Sequence, residues 1–231
     1  MTIWQDNFDD NYLDPAKWEK GSHGGTGDVY ERNQRLELEV YDGWRWVVSR
    51  DRYDLTKGKI TIYLAIGKLY FIQLRISTQK STTYEYVDDY YTIFLDQYLG
   101  KCGVTRKRLG EDPVLLYAGD WSASSNLFKI EIEAGIIRIW EGANCRAWEP
   151  YALTSYEVYI YILGHGYGVL SGIGWADDFY CEYCGTAEEK VEAKTELIQW
   201  QISEWLRANW VPLSVIGVVL AIVFAIIMGL I

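Results

Sequence analysis

The chain has no basic block anywhere, and that absence excludes one class of partner at once. It carries 22 Lys and Arg against 32 Asp and Glu, a formal net charge of −10. Nucleic acid is bound through clustered cations that displace counterions, so no nucleic-acid partner is expected. The opening residues MTIWQDNFDDNYLD lack a basic region, an apolar stretch of signal length and a small-residue cleavage site. Asn-x-Ser/Thr triplets are also missing, which weighs against a heavily glycosylated exterior. Proline is scarce, with four residues. No helical period is visible before residue 185.

What is present is most distinctive at the far end. Segment 211–231 reads VPLSVIGVVLAIVFAIIMGLI, without one charged side chain. As a helix it would be roughly 30 Å long, the thickness of a bilayer's hydrocarbon core. A single-pass anchor with the lipid bilayer as partner is therefore expected, in a virion membrane or at a cell surface. Before it, 185–210 is rich in Glu, Lys, Ala and Gln, with Thr186 and Glu189 at capping-box spacing. Val191, Ile198, Ile202 and Trp205 fit one helical stripe, so this stretch reads as an amphipathic stalk. Trp205 and Trp210 lie where an interfacial aromatic belt belongs.

Residues 1–184 read as strand after strand. The 19 Tyr and 11 Trp favour pleated, half-buried surfaces. Segment 127–133 alternates, with Phe128, Ile130 and Ile132 on one face and Lys129, Glu131 and Glu133 on the other. Ala134-Gly135 turns it into 136–140. Segments 59–66 and 69–76 are expected to pair across Gly67-Lys68 as a tight hairpin, and 21–27 is expected to be a loop. About a dozen short strands at even spacing predict an all-β sandwich or barrel.

The cysteines are Cys102, Cys145, Cys181 and Cys184. Their even number suggests one or two disulfides. The Cys181-x-x-Cys184 pair also suits zinc or thiol exchange, but zinc would need two ligands from Cys102, Cys145, His23 or His165 at irregular spacing.

The stretches DNFDDNYLDPAKWEK, RLELEV, FKIEIEAGIIRIWEGANC and GIGWADDFYCEY together resemble the concanavalin A-like lectin and glucanase superfamily, including laminin G-type domains. The resemblance spans roughly residues 4 to 183. It implies a jelly-roll sandwich of two antiparallel sheets, with the opening Phe–Asp strand beside the closing Asp–Asp strand. It also implies a structural Ca²⁺, for which Asp6, Asp9, Asp10, Asp177 and Asp178 are the candidate oxygen ligands. Glucanases of this fold carry an E-x-D-x-E run that sets carboxylates about 5 Å apart on one strand face. This chain has no such run; its nearest stretches are Glu85 to Asp89 and Glu131 with Glu133. Glycan binding would use aromatic faces with planar polar neighbours: Trp44 and Trp46, and Tyr84, Tyr86 and Tyr90. The leading expectation is a non-catalytic structural module assembling with copies of itself or other coat and membrane proteins. A glycan-binding module is the alternative, and a tethered glycoside hydrolase a second one.

Overall fold

The computed structural model describes residues 3–56, 58–81, 89–121, 127–133, 136–150 and 157–182. The chain divides into two units, Met1–Thr186 and Ala187–Ile231. The expected stalk and anchor lie outside the described residues. Among the described residues, no helix is long and apolar enough to cross a membrane.

Two antiparallel sheets make up the first unit. One runs in the order β14 (Asn144–Pro150), β13 (Ile136–Glu141), β12 (Leu127–Glu133), β7 (Lys59–Ala65), β16 (Gly172–Glu182), β4 (Arg35–Tyr41) and β3 (Thr26–Arg32), with β1 (Ile3–Asp6) also paired to β16. The other runs β11 (Val114–Asp120), β10 (Lys101–Lys107), β9 (Tyr90–Asp96), β8 (Phe71–Ser77), β15 (Glu157–Gly166), β5 (Gly43–Ser49) and β2 (Trp18–His23), with β6 (Tyr53–Asp54) on β15.

Period-2 alternation builds the core. On β12, Phe128, Ile130 and Ile132 are buried, while Lys129 pairs with Glu131 at 2.7 Å on the outer face. Opposite them in the core stand Ile72, Leu74 and Ile76 of β8 and Ile93 and Leu95 of β9. Each such side chain contributes about 1.5–3 kcal/mol by leaving water. Truncating Ile130 to Ala should cost about 2–5 kcal/mol, since a close-packed core collapses only partly around the gap.

The β12–β13 hairpin forms as expected, with Glu133 opposite Ile136. The opening strand does pair with the closing one, Asp6 opposite Phe179. The hairpin expected at Gly67-Lys68 does not form. β7 pairs with β12 and β16, whereas β8 pairs with β9 and β15, so the turn carries the chain from one sheet to the other. The Lys68 amide donates to Ile173 O at 3.0 Å and the Leu69 amide to Ile66 O at 3.0 Å. The Gly-rich stretch 21–27 is mostly strand, ending β2 and opening β3. Its glycines serve close approach. A Cβ on Gly21 would stand 2.0 Å from the Trp46 ring, and one on Gly27, at φ 116°, would stand 1.9 Å from Glu39 O. Arg45 ties the bend between these strands by donating to Gly24 O at 2.8 Å, Gly25 O at 3.0 Å and Gly27 O at 2.8 Å.

Candidate functional site

The outer face of the second sheet does not look like an ordinary solvent face. Its register sets side chains in rows across the strands. Trp44, His165, Phe71, Asp96 and Lys101 form one row. Trp46, Leu163, Gln73 and Phe94 form the next, followed by Val48, Tyr161, Arg75 and Thr92. Trp46, Val48, Tyr161 and Leu163 form a second apolar cluster, buried although it faces away from the main core. Gln79 and Ser81, just after β8, meet this face. The Ser81 amide donates to the Tyr161 hydroxyl at 2.8 Å, and that hydroxyl donates to Gln79 O at 3.1 Å. Burial pushes the Tyr161 hydroxyl up to about 12.

Polar groups are set into this apolar floor. Arg75 is buried, donates to Thr92 Oγ1 at 3.1 Å and lies over the Tyr90 ring at 4.4 Å. Gln73 is buried beside Leu163, and its Oε1 meets no hydrogen-bond donor among the described residues. The ring of His165 stacks on Trp44 at 4.1 Å and stands 6.0 Å from Phe71. Burial holds His165 below the usual imidazole range.

Beyond the first row, past the ends of β8, β9 and β15, three turns bring tyrosines together. Tyr70 lies between Tyr98, at 5.7 Å and stacked, and Tyr167, at 6.0 Å and edge-on. Tyr98 is 69% exposed and Tyr167 67%. Their turns are fixed from below. The Asp96 carboxylate accepts from the Leu99 amide at 2.9 Å, and burial raises its pKa. Tyr167 and Leu170 exchange backbone bonds of 3.1 and 3.0 Å, and Asp42 accepts from the Gly168 amide at 2.7 Å. The Tyr70 amide donates to His165 O, and Tyr70 O accepts from the Gln97 amide. The rings are thus presented on braced turns, which lowers the ordering cost of binding.

The expected site residues fare unevenly. Trp44 is half-buried on this face, with one ring surface covered by His165. Trp46 is fully buried and offers no platform. Tyr90 lies on the face under Arg75. Tyr84, Tyr86 and Glu85 lie outside the described residues, as do Cys184, Trp205 and Trp210. Asp89 is buried and accepts from the Thr78 hydroxyl at 2.9 Å, a structural use. Glu133 pairs with Arg138 at 3.7 Å on the outer face of the first sheet. Sequence reading missed Tyr70, Phe71, Gln73, Arg75, Tyr98, His165 and Tyr167 as site residues. The alternation of Phe71, Gln73 and Arg75 against Ile72, Leu74 and Ile76 was the available signal.

The calcium expectation does not fit. Among the described residues, no three His, Cys, Asp or Glu side chains are placed to hold a metal. Asp6 is already committed: it accepts from Trp18 Nε1 at 2.8 Å and the Phe8 amide at 3.3 Å, with Lys17 at 3.7 Å. Asp10 accepts from the Tyr12 amide at 2.9 Å and neighbours Glu31. Asp9 instead lies toward Asp177 and Asp178, and Asp177 is raised chiefly by burial. Glu31 is 6% exposed, and among the described residues neither carboxyl oxygen meets a donor. Burial and then the Asp10 carboxyl push it up to about 8, so it carries the proton that two adjoining carboxyls must share.

The disulfide expectation holds for Cys181, which is disulfide-bonded. It does not hold for Cys102 and Cys145, both thiols. Cys102 sits in the core and Cys145 at the surface, on strands of different sheets, whereas a disulfide needs Cβ atoms about 3.5–4.5 Å apart. Burial raises the Cys102 thiol to about 11.

Two eight-stranded antiparallel sheets packed face to face make a sandwich of the jelly-roll kind. Solved structures of the concanavalin A-like lectin and glucanase fold are similar to it. One neighbour comes from endo-acting O-glycanases of the human gut microbiota that initiate mucin breakdown (TM-score 0.57, 10% identity, 77% of this chain and 97% of that one). Another is the exoplasmic/lumenal domain of VIP36 bound to Ca²⁺ and Man3GlcNAc (0.53, 10%, 75% and 87%). A third is a prokaryotic β-1,3-1,4-glucanase from a mouse hindgut metagenome (0.50, 14%, 78% and 98%). At these identities the likeness is one of fold. No family profile matches the sequence, and no curated protein matches it.

Proposed function

We propose that the protein is a carbohydrate-binding module, held at a membrane surface by segment 211–231, that docks glycans on the outer face of its second sheet. The carrying observation is the braced tyrosine trio. Tyr98 and Tyr167 stand exposed on separate turns around Tyr70, and Lys101, paired with Asp120, lies in the adjoining row. Sugars are held by apolar ring faces that meet their C–H surfaces and by polar side chains that fix their hydroxyls. Neighbours of this fold include the Man3GlcNAc-bound VIP36 domain, which supports the reading by analogy. Hydrolysis is the weaker reading. No described strand of the second sheet carries two carboxylates on its outer face, and Asp120 is bound by Lys101. A glycan array probed with the full chain tests the proposal: saturable spots are expected, lost in the Tyr98→Ala/Tyr167→Ala double variant. A flat array would count against it.

Assembly with copies of itself, the leading expectation from sequence, remains as the second reading. Strand β11 ends its sheet among the described strands, and its Val114 and Leu115 are 43% and 58% exposed. An apolar edge of this kind pairs readily with another strand. A coat role predicts ordered repeats of the protein around lipid in its native membrane, visible by imaging.

A further inference from the structure

The outer face of the first sheet holds a separate cleft of about 450 Å³, bounded by Arg35, Tyr41, Lys68, Ser171, Ile173 and Trp175. Ligand sites commonly span about 300–1,000 Å³. Arg35 and Tyr41 are the first and last residues of β4, so the cleft runs about 20 Å along that strand. Strand β16 lies beside it, with Ile173 opposite Glu39 and Trp175 opposite Glu37.

The guanidinium groups beside this cleft are already engaged by carboxylates. Glu37 is held by Arg32 at 2.5 Å and by Arg35 at 2.8 Å. Glu39 is held by Arg32 at 3.0 Å and accepts from the Tyr41 hydroxyl at 3.2 Å. Two guanidinium groups thus answer these two carboxylates, and Arg35 also faces the charge of Asp177. Lys68 is left over. It is exposed, and among the described residues no carboxylate pairs with it. Glycine at 172 keeps room for it, since a Cβ there would stand 2.9 Å from Lys68 Cβ. Lys68 therefore lines an aromatic-ended groove with no ion-pair partner among the described residues. The Arg35 guanidinium lies over the Trp175 ring at 5.0 Å and carries its remaining N–H groups at the other end.

We propose that this cleft binds a linear, carboxylate-bearing sugar chain. Lys68 takes one carboxylate, Tyr41 and Trp175 pack against sugar rings, and the Ser171 hydroxyl bonds a ring hydroxyl. An extended peptide is disfavoured because β4 and β16 are both interior strands. Their backbone groups are spent on β3 and on each other, and on β7, so a peptide would gain no main-chain bonds. The inference does not depend on the second-sheet reading.

The test is calorimetric titration of the full chain in detergent micelles with oligogalacturonate and, separately, a neutral cello-oligosaccharide of equal length. Saturable binding of the charged chain alone is expected, weakened by added salt. Lys68→Glu should lower its affinity at least tenfold, Trp175→Ala should lower it comparably, and Tyr98→Ala should leave it unchanged. Thermal unfolding checks that each variant is folded; Lys68 is an exposed turn residue and carries the test if Trp175→Ala does not fold. Absence of binding, equal binding of the neutral chain, or loss in Tyr98→Ala with retention in Lys68→Glu would overturn the proposal.

Discussion

Replacing Glu31 with Gln should remove a pH dependence of stability that the wild-type chain carries. Glu31 is buried on β3, neither oxygen meets a donor among the described residues, and Asp10 and Asp6 lie close enough to oppose its charge. Its folded pKa is pushed from 4.5 to about 8. The native state therefore holds a proton that the unfolded chain has released between those two values. The stabilisation from this group is fully present below about pH 4.5, declines as pH rises through about 8, and is gone above that. At about 1.36 kcal/mol per unit the whole shift has a ceiling of about 5 kcal/mol. Rotation of the side chain toward water reduces this, and a net loss of about 2–3 kcal/mol is expected. Gln donates to Asp10 at every pH and cannot ionise. Urea unfolding followed by tryptophan fluorescence from pH 4.5 to 9 should give diverging curves. The two proteins should be nearly equal at pH 4.5, and the variant more stable by about 2 kcal/mol at pH 9. Parallel curves would refute the reasoning.

Three further outcomes follow from the same structure. Trp46→Ala should lose about 3–5 kcal/mol by leaving a cavity against Gly21, Val48 and Leu163, read as a lower urea midpoint. Arg45→Met should strand the carbonyls of Gly24, Gly25 and Gly27, lower stability by about 2–4 kcal/mol, and speed amide exchange between β2 and β3. The Cys102 thiol, buried and raised to about 11, should resist alkylation at pH 8 in the native chain and react on unfolding.

The sandwich was legible wherever one strand face is wet. Segment 127–133 shows this best, because Lys129, Glu131 and Glu133 mark the solvent side. Where both faces are covered the signal weakens. Phe71, Gln73 and Arg75 lie on a strand whose two faces are each largely buried, so the polar members did not stand out as a surface. Gly67-Lys68 has the form of a hairpin turn, yet its flanking strands find better partners in opposite sheets, a choice made by long-range packing. Glycines at 21 and 27 suggest a loop by composition, although here they admit the Trp46 ring and the Glu39 carbonyl. Tyr70, Tyr98 and Tyr167 are distant in sequence, and only the order of strands β8, β9 and β15 brings their turns together.

The glycan-binding account is tested most directly by oxidative footprinting of the full chain with and without an array-selected glycan. Tyr98 and Tyr167 should become protected, while Tyr12, which is 61% exposed beyond β1, should react as before. Unchanged labelling at Tyr98 and Tyr167, with protection elsewhere, would contradict the account.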